Sequence, residues 1–323
     1  MIQMITAMSE LGAGTRGASL GYAAIRSASL NSDPRFFRKY TPKKVETNNA
    51  LLFEHVNSPY GRRIKGIVRM YRRLAAVVAE TLDDNRFPVV ISGDHSNAGG
   101  TIAGLRHVYP TARIGVIWID AHGDLHSPFT SPSGNMHGMP LATAIGEDNR
   151  DCQINKPKQG TIKSWEQLKG HPRRVVPSDI VFIALRDTEA PENHLIDKYG
   201  MKVIRVEEVR DKGAESTVHT ALEHLKACDV LYVSFDVDSL DPSISDGTGT
   251  PVPDGLNEKE AADLLVALAR VPRLCCLEFT EINPLLDSKR NSMGEAAFRL
   301  LKQTVESLEE REKVIPAVHH PSK

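Results

Sequence analysis

The sequence predicts an α/β fold, with a mostly parallel sheet covered by helices on both faces. Two observations support this prediction. Short apolar runs alternate with helical patterns from about residue 88 to residue 310, as they do in chains built from βαβ units. Four of these runs also end in acidic or histidine residues, which favours strands that deliver polar groups to one edge of a sheet.

The elements follow one another in a regular order along the chain. Apolar runs bounded by turn residues predict strands at 1–9, 89–92, 114–119, 180–185, 202–206, 230–235 and 274–279. Apolar residues at helical spacing predict helices at 22–28, 62–84, 98–107, 140–145, 192–199, 214–227, 258–270 and 293–310. The basic stretch at 62–73 carries interleaved apolar residues, so we interpret it as a surface helix rather than a nucleic-acid site.

Several stretches interrupt this order. Residues 31–49 are polar and contain prolines, and we expect them to be irregular. Residues 147–176 lack a clear period and are interpreted as a surface excursion. Residues 241–255, rich in Gly, Pro, Ser and Thr, follow an acidic strand end and are a natural wall for a site. We expect one domain over 1–323, with a flexible tail at 313–323.

Composition excludes some classes of function. The chain of 323 residues has 41% hydrophobic and 25% charged residues, and its net charge of −1 gives no overall attraction to nucleic acid or anionic membranes. Apolar runs fall short of the ~20 residues of a membrane helix, and no signal peptide is recognisable, so we expect a cytoplasmic protein. The scattered cysteines (Cys152, Cys228, Cys275, Cys276) are interpreted as reduced thiols.

The acidic strand ends indicate a metal site. Asp236 and Asp238 are two residues apart and share a face of their strand, and Asp120 and Asp124 flank His122 at the same spacing. So many carboxylates cannot all stay charged in one place without a cation between them. Carboxylate with some imidazole favours hard or borderline ions such as manganese, and two ions sharing carboxylates would use every group.

Longer motifs add a resemblance to a known family. The motifs resemble the signature sequences of the ureohydrolase superfamily of arginases and agmatinases, in order from about Gly14 to the last helix; they are Ser92-Gly-Asp94-His95-Ser, Asp120-Ala-His122-Gly-Asp124, Ser234-Phe-Asp236-Val-Asp238-Ser-Leu-Asp241-Pro and Gly247-Thr-Gly-Thr-Pro. Two further motifs resemble arginases more than agmatinases: Ser133-Gly-Asn135-Met-His137-Gly-Met-Pro and Glu281-Ile-Asn-Pro284.

The resemblance implies a three-layer αβα fold with a sheet of about eight strands, and a role for each motif residue. One manganese would be held by His95, Asp120, Asp124 and Asp236, and a second by Asp120, His122, Asp236 and Asp238. Asp120 and Asp236 would bridge the ions, with a hydroxide between them. The catalytic set would be Asp124, His137, which moves protons to the leaving amine, and Glu281, which pairs with the guanidinium. Ser133 and Asn135 would meet an α-carboxylate.

Three positions differ from the arginase pattern, and a fourth residue lies close in sequence to one of them. Ser92 replaces a usual glycine. His126 stands where many arginases have an asparagine that reaches the α-carboxylate. Glu189 replaces an aspartate that contacts the α-amino group, and Glu192 could share this contact. Three of these positions, His126, Glu189 and Glu192, concern contacts with the substrate rather than with the metals. They leave the predicted reaction type unchanged. They put in doubt which chemical groups the substrate carries at the end opposite its guanidinium.

The sequence therefore predicts a hydrolase with two Mn²⁺ per subunit, Co²⁺ or Ni²⁺ being alternatives, that cleaves L-arginine to L-ornithine and urea. The resemblance also implies a homo-oligomer, a trimer or hexamer, and the net charge and short apolar runs predict no nucleic-acid or membrane partner. One alternative is another ureohydrolase, acting on agmatine, guanidinobutyrate or formiminoglutamate. A second is a catalytically silent metal-binding homologue, which intact His137 and Glu281 argue against. Zinc-dependent deacetylation would leave the second carboxylate set without an ion.

Overall fold

The core of the fold is one sheet of eight strands in which every neighbouring pair is parallel. A computed structural model describes residues 1–314. The strands are β1 (Ile2–Ala7), β2 (Lys43–Lys44), β3 (Phe87–Ser92), β4 (Ile114–Ile119), β5 (Ile180–Ile183), β6 (Lys202–Ile204), β7 (Val230–Asp236) and β8 (Leu274–Thr280). Their order across the sheet is β2-β1-β3-β8-β7-β4-β5-β6. The predicted parallel sheet of about eight strands is confirmed.

Helices cover both faces of this sheet and complete three layers. Those described are α1 (Gly21–Ser32), α2 (Phe36–Lys39), α3 (Ile64–Asp83), α4 (Ala98–Val108), α5 (Pro140–Ile145), α6 (Gln159–Lys169), α7 (Ala190–Tyr199), α8 (Val206–His224), α9 (Glu258–Ala269) and α10 (Ser292–Val314). One face packs against α1, α2, α8, α9 and α10, and the other against α3 to α7.

The two cores that result are separated by the strands themselves. Along β4, Ile117 and Ile119 enter the core with α1 and α8 to α10, whereas Val116 and Trp118 enter the core with α3 to α7. Successive side chains of a strand point to opposite faces, and both faces are buried here. This is why β4 reads as a continuous apolar run instead of an alternating one.

The segment at 147–176 was predicted as a surface excursion, and this prediction was wrong for its central part. Residues 159–169 form α6, and Trp165 on it is fully buried. Asp148 Oδ1 accepts hydrogen bonds from Trp165 Nε1 at 2.8 Å and from Lys169 Nζ at 2.7 Å. A short helix with few apolar residues gives a weak periodic signal, and only its tertiary partners reveal that it is packed.

Three smaller predictions also need correction. The stretch at 31–49, predicted as irregular, contains the end of α1, all of α2 and the two-residue strand β2. The helix predicted from residue 214 is preceded by a further helical segment at 206–212 that was not predicted, and the two segments of α8 are separated by a non-helical backbone at Gly213, where φ is +77°. At the predicted tail, Lys313 still lies in α10, and residues 315–323 lie outside the described residues. None of the described helices combines the length and apolarity of a membrane span.

The strand order determines where polar groups collect. Strands β3, β8, β7 and β4 are consecutive neighbours in the sheet, and all run in the same direction. Their carboxyl ends therefore meet at one edge, which is where ligands bind in open parallel sheets. The polar residues that follow these strands in the sequence are thus delivered to one place.

Candidate metal centre and substrate pocket

The residues predicted as metal ligands come together at this edge. His95 begins a short 3-10 turn after β3, Asp120 follows β4, and Asp236 is the last residue of β7, with Asp238 two positions on. Two groups have side-chain ligand atoms within 4.8 Å of one another: His95 with Asp120 and Asp236, and Asp120 with His122 and Asp238. Asp120 belongs to both groups, so it is suited to contact two ions.

Together with Asp124, the first group places three carboxylates around one imidazole nitrogen. His95 Nδ1 lies 3.0 Å from Asp120 Oδ2, 3.0 Å from Asp236 Oδ2 and 3.1 Å from Asp124 Oδ2. Within residues 1–314, His95 Nδ1, Asp120 Oδ2 and Asp124 Oδ2 are buried without a hydrogen-bond partner. Buried polar atoms are normally paired. A nitrogen and three carboxylate oxygens converge here, and the nitrogen and two of the oxygens have no hydrogen-bond partner, which is the arrangement of a ligand shell for a divalent cation.

The second group is slightly more open. His122 Nδ1 lies 2.9 Å from Asp238 Oδ2 and 3.5 Å from Asp120 Oδ1, and the His122 side chain is 23% exposed. Backbone N–H groups hold the carboxylates: Asp120 Oδ1 accepts from His122 N at 2.7 Å, and Asp238 Oδ1 accepts from Ala121 N at 3.2 Å. The Thr250 hydroxyl donates to Asp238 Oδ2 at 3.2 Å. These contacts fix the side-chain orientations that a second cation would need.

Contacts at Nε2 and on the ring face set the orientation of the His95 imidazole. Its Nε2 is 2.8 Å from Ser234 Oγ, and its ring stacks on Trp118 with centroids 4.1 Å apart and planes 5° from parallel. When Nε2 donates its hydrogen to Ser234, the lone pair of Nδ1 faces the carboxylates. The imidazole is thus prepared to act as a ligand.

The pKa shifts of the proposed ligand residues show how crowded carboxylates respond when no cation is bound. Burial and the charge of Asp120 raise the pKa of Asp124 to about 7, and burial with the charges of Asp238 and Asp120 raises the pKa of Asp236 well above its ordinary value. Burial opposes protonation of His95, but its contacts with Asp120, Asp124 and Asp236 raise its pKa. Protons therefore neutralise the group when no metal does so, and metal binding would release them.

Two of the pocket acids have strained backbones. Asp124 has φ +51° and Glu281 has φ +65°, in the left-handed region that non-glycine residues seldom occupy. Such conformations cost free energy and persist where the surrounding structure holds them. In both cases the strained residue carries a carboxylate into the pocket.

Glu281 and His137 form a pair next to the first group. Glu281 Oε1 accepts the backbone N–H of His95 at 2.8 Å and lies 3.4 Å from His137 Nδ1. The other oxygen, Oε2, points toward Gly249, where a Cβ would be 3.7 Å away. Burial lowers the pKa of His137, but Glu281 outweighs it and raises the pKa to about 9. His137 therefore holds a proton at neutral pH, and Glu281 keeps one oxygen for a ligand.

The substrate residues predicted on the loops line the same pocket, a cavity of about 250 Å³. His126 Nδ1 lies 3.1 Å from the hydroxyl of Thr130, which accepts the N–H of Ser127. When the Thr130 hydroxyl donates to Nδ1, the neutral imidazole carries its own hydrogen on Nε2. His126 Nε2 is buried without a hydrogen-bond partner in the described chain, 3.5 Å from Glu189 Oε2 and 3.9 Å from Glu192 Oε2.

The two glutamates at this end are held differently. Glu192 is buried, and its oxygens accept the backbone N–H of Leu125 at 3.2 Å and of Glu189 at 3.0 Å. The Glu189 side chain is 55% exposed. Glu192 therefore mainly supports the loops, and Glu189 is the acid that remains available to a ligand.

Ser133 and Asn135 line the opposite wall. The Ser133 hydroxyl is exposed and accepts the Asn135 N–H at 3.2 Å. Arg62 donates from Nη1 to Asn135 Oδ1 at 3.3 Å. Every residue predicted for the site thus lies in or on this one cavity.

Sequence reasoning missed three supporting residues. Ser234 was quoted in a motif but given no role, and its hydroxyl contacts His95 Nε2; its position two residues before Asp236 on one strand face was the available signal. Thr250 was quoted in a motif but given no role. Arg62 was assigned to a surface helix, and no local pattern connects it to Asn135, 73 residues away.

Comparisons with known proteins agree with this geometry. The model of the Arginase family matches residues 2–305. Arginase from Bacillus subtilis (strain 168) is 33% identical over 301 residues, covering 93% of this chain and 96% of that protein. The crystal structure of arginase from Bacillus caldovelox superposes with a TM-score of 0.80 at 33% identity, covering 94% and 97% of the two chains. Entamoeba histolytica arginase in complex with L-ornithine gives a TM-score of 0.79 at 25% identity, covering 95% and 98%.

Proposed function

We propose that this chain, which belongs to the arginase family, hydrolyses L-arginine to L-ornithine and urea with two Mn²⁺ ions per chain. Its class is that of a metal-dependent amidinohydrolase. The observation that carries the proposal is the convergence of His95 Nδ1 with three carboxylates beside the Glu281–His137 pair.

The donor set fits the proposed metal. The ligand atoms are carboxylate oxygens and imidazole nitrogens, a combination that suits Mn²⁺, and the described part of the site contains no thiolate. Four ligands would hold the first ion (His95, Asp120, Asp124, Asp236) and four the second (Asp120, His122, Asp236, Asp238). Bound there, the ions would lower the pKa of water toward neutrality and make a strong nucleophile available. Co²⁺ and Ni²⁺ accept the same donors and are the alternatives.

Glu281 is proposed to bind the guanidinium. This group is planar, carries several N–H donors and is held best by a carboxylate that accepts two hydrogen bonds. One Glu281 oxygen already accepts the His95 N–H at 2.8 Å, which fixes the carboxylate in orientation. The second oxygen faces the space beside Gly249. The delocalised charge of the guanidinium makes its carbon a poor electrophile, so this fixed orientation next to the metal ligands is important.

His137 is proposed to supply the proton that the leaving amine needs. An amine departs readily only when it is protonated, and an imidazolium can deliver that proton. Glu281 lies 3.4 Å from His137 Nδ1 and keeps the ring protonated at neutral pH. His137 lines the pocket beside Glu281, so its proton is available to an amine in the pocket.

The far end of the substrate would meet polar groups of both signs. Ser133, Asn135 and the Nε2–H of His126 can donate to an α-carboxylate, and Glu189 can accept from an α-ammonium. When His126 carries its hydrogen on Nε2, agmatine, which has no carboxylate, offers no acceptor to this N–H, which has no hydrogen-bond partner in the described chain. This contrast favours L-arginine.

A metal-reconstitution assay tests the proposal. The protein is stripped of metal with a chelator, reloaded separately with Mn²⁺, Co²⁺ or Ni²⁺, and assayed for urea from L-arginine and from agmatine. We expect no urea before reloading and a higher kcat/KM for L-arginine than for agmatine after it. Equal or greater kcat/KM for agmatine would overturn the choice of substrate, and metal-independent urea release would overturn the mechanism.

A second candidate is a ureohydrolase for another guanidino or formimino compound, such as guanidinobutyrate or formiminoglutamate. The observation that favours it is the pairing of His126 and Glu189, whose side chains approach to 3.5 Å at the far end of the pocket. This pair differs from the asparagine and aspartate of the arginase pattern. The same assay with these compounds separates the two candidates.

Two expectations extend beyond the pocket. We propose that the chain forms a homo-oligomer, a trimer or hexamer, and that it acts in the cytoplasm. Light scattering of the purified protein tests the first proposal, and localisation of the tagged chain in its own cell tests the second.

A further inference from the structure

We propose that Arg62 is a positioning residue that turns the side-chain amide of Asn135, so that the pocket offers N–H donors to a substrate carboxylate. The inference deepens the proposed function and rests on it, because only a substrate with a carboxylate at its far end benefits. The basic stretch at 62–73 thereby gains one residue with a specific task.

The orientation of the amide follows from the chemistry of its neighbour. Arg62 Nη1 lies 3.3 Å from Asn135 Oδ1. A guanidinium has only donors, so the oxygen of the amide must face it. The Nδ2 group, with its two hydrogens, is then turned to the other side. Without Arg62 the amide could rotate by half a turn, since its oxygen and nitrogen have nearly the same shape.

A second set of contacts holds the loop in place independently of the side chains. The backbone N–H of Arg62 donates to Gly134 O at 2.8 Å. Gly134 has φ +70°, and a Cβ there would lie 1.7 Å from Pro59 O, so only glycine permits this close approach. On the other side, a Cβ at Gly14 would lie 2.7 Å from Asn135 Nδ2. The Asn135 amide is therefore confined between Arg62 and Gly14.

Charge alone is a weaker explanation for a role of Arg62. Its side chain is exposed, and attraction between exposed charges contributes little because water and salt weaken it. Orientation of the amide is not screened in this way. With the opposite orientation a carbonyl oxygen would face the substrate carboxylate, which removes one hydrogen bond and adds repulsion.

The first experiment compares Arg62→Met with two matched variants. Arg62→Met should raise KM for L-arginine by about 3- to 10-fold, the loss of roughly one hydrogen bond, with kcat within about twofold. Arg62→Lys keeps a donor and should recover part of the loss. Arg69→Met removes an exposed arginine on α3 outside the pocket lining and should change neither constant. An unchanged KM in Arg62→Met would overturn the inference.

A double-mutant cycle then separates orientation from charge. If Arg62 acts through Asn135, Arg62→Met should add less than about twofold to KM once Asn135→Ala is present. Full additivity of the two substitutions would overturn the inference, since it would mean that Arg62 acts directly on the substrate.

A binding measurement gives a result that does not need turnover. Calorimetry on the Mn²⁺-loaded protein should show weaker binding of L-ornithine to Arg62→Met than to wild type, and equal binding of putrescine, which has no carboxylate. Equal loss for both ligands would contradict the inference. If the wild-type protein releases no urea from L-arginine, the proposed function is wrong. The comparison of L-ornithine binding to wild type and to Arg62→Met still tests the role of Arg62 in that case.

Discussion

The proposed metal ligands and the proposed substrate rim lie in one cavity but are held in different ways. We define the metal core as His95, Asp120, His122, Asp124, Asp236 and Asp238, and the rim as the loops at 126–135 and 187–192. All core residues except His122 are at most 6% exposed, and they lie at the carboxyl ends of β3, β4 and β7 in one sheet. In the rim, Ser133, Asp187 and Glu189 are exposed, whereas His126 and Glu192 are buried.

This difference separates the reaction from the choice of substrate. Groups at the ends of buried strands are held by the whole sheet, so the core can keep the geometry that metal chemistry requires. Groups on loops can change without disturbing the sheet. Substitutions in the core should therefore alter metal content and kcat, and substitutions in the rim should alter KM.

The largest effect is expected for Asp120, which belongs to both ligand groups. Asp120→Ala should lose both ions, and kcat/KM should fall by more than about 1,000-fold, since several kcal/mol of stabilisation disappear. Metal analysis and urea release on one sample measure both losses. Asp263→Ala, an exposed acid on α9, is the control. An Asp120→Ala protein that retains two ions would break the distinction between core and rim.

His137→Ala separates proton delivery from metal binding. We expect two bound ions and a kcat lower by about 100-fold, the usual contribution of general acid catalysis. His107→Ala removes an exposed histidine at the end of α4 and should behave like wild type. Full activity in His137→Ala would show that another group protonates the leaving amine.

Ser234→Ala tests the support behind His95. Loss of the 2.8 Å contact to His95 Nε2 should weaken the first ion by about 10- to 100-fold, as is typical when a partner of a metal-bound histidine is removed. The second group does not contact Ser234 and serves as an internal control in a metal titration. Equal weakening of both ions would indicate a general distortion instead.

Metal affinity should depend on pH. Without a cation the pKa of Asp124 is raised to about 7, so near neutral pH a proton must leave before its carboxylate can bind metal. Affinity should therefore rise with pH, and fall as pH drops below about 7, by roughly tenfold per unit for each proton displaced. Calorimetry in two buffers of different ionisation enthalpy should detect proton release. Binding without proton release would contradict these protonation states.

The smallest effect belongs to the rim. His126→Ala should raise KM for L-arginine by about 3- to 10-fold through the loss of one donor, with metal content and kcat unchanged within about twofold. His126→Asn keeps a donor and should raise KM less. A loss of metal in either variant would mean that the rim and the core are coupled.

The sequence predicts the core better than the rim, for a physical reason. Apolar runs of strand length identify β3, β4, β7 and β8, and parallel pairing places their carboxyl ends together. Side-chain alternation then predicts that Asp236 and Asp238 share a face. Nothing beyond the direction of the strands is needed to expect a dense carboxylate cluster there.

The rim depends on contacts that have no local signature. The carbonyl of Phe129 accepts N–H groups of Ile154 and Asn155 at 2.9 Å each, and Asn155 Nδ2 donates to Ser131 O at 2.6 Å. The segment predicted as a surface excursion thus supports the loop that carries His126. Such tertiary pairing determines loop shape, and propensity or periodicity does not encode it.

The most direct test is anomalous diffraction at the manganese absorption edge from crystals grown with excess Mn²⁺. Two peaks are expected: one next to His95 Nδ1 and one next to His122 Nδ1, with Asp120 in contact with both. A well-ordered pocket without an anomalous peak would contradict the claim that the meeting strand ends form a two-metal centre.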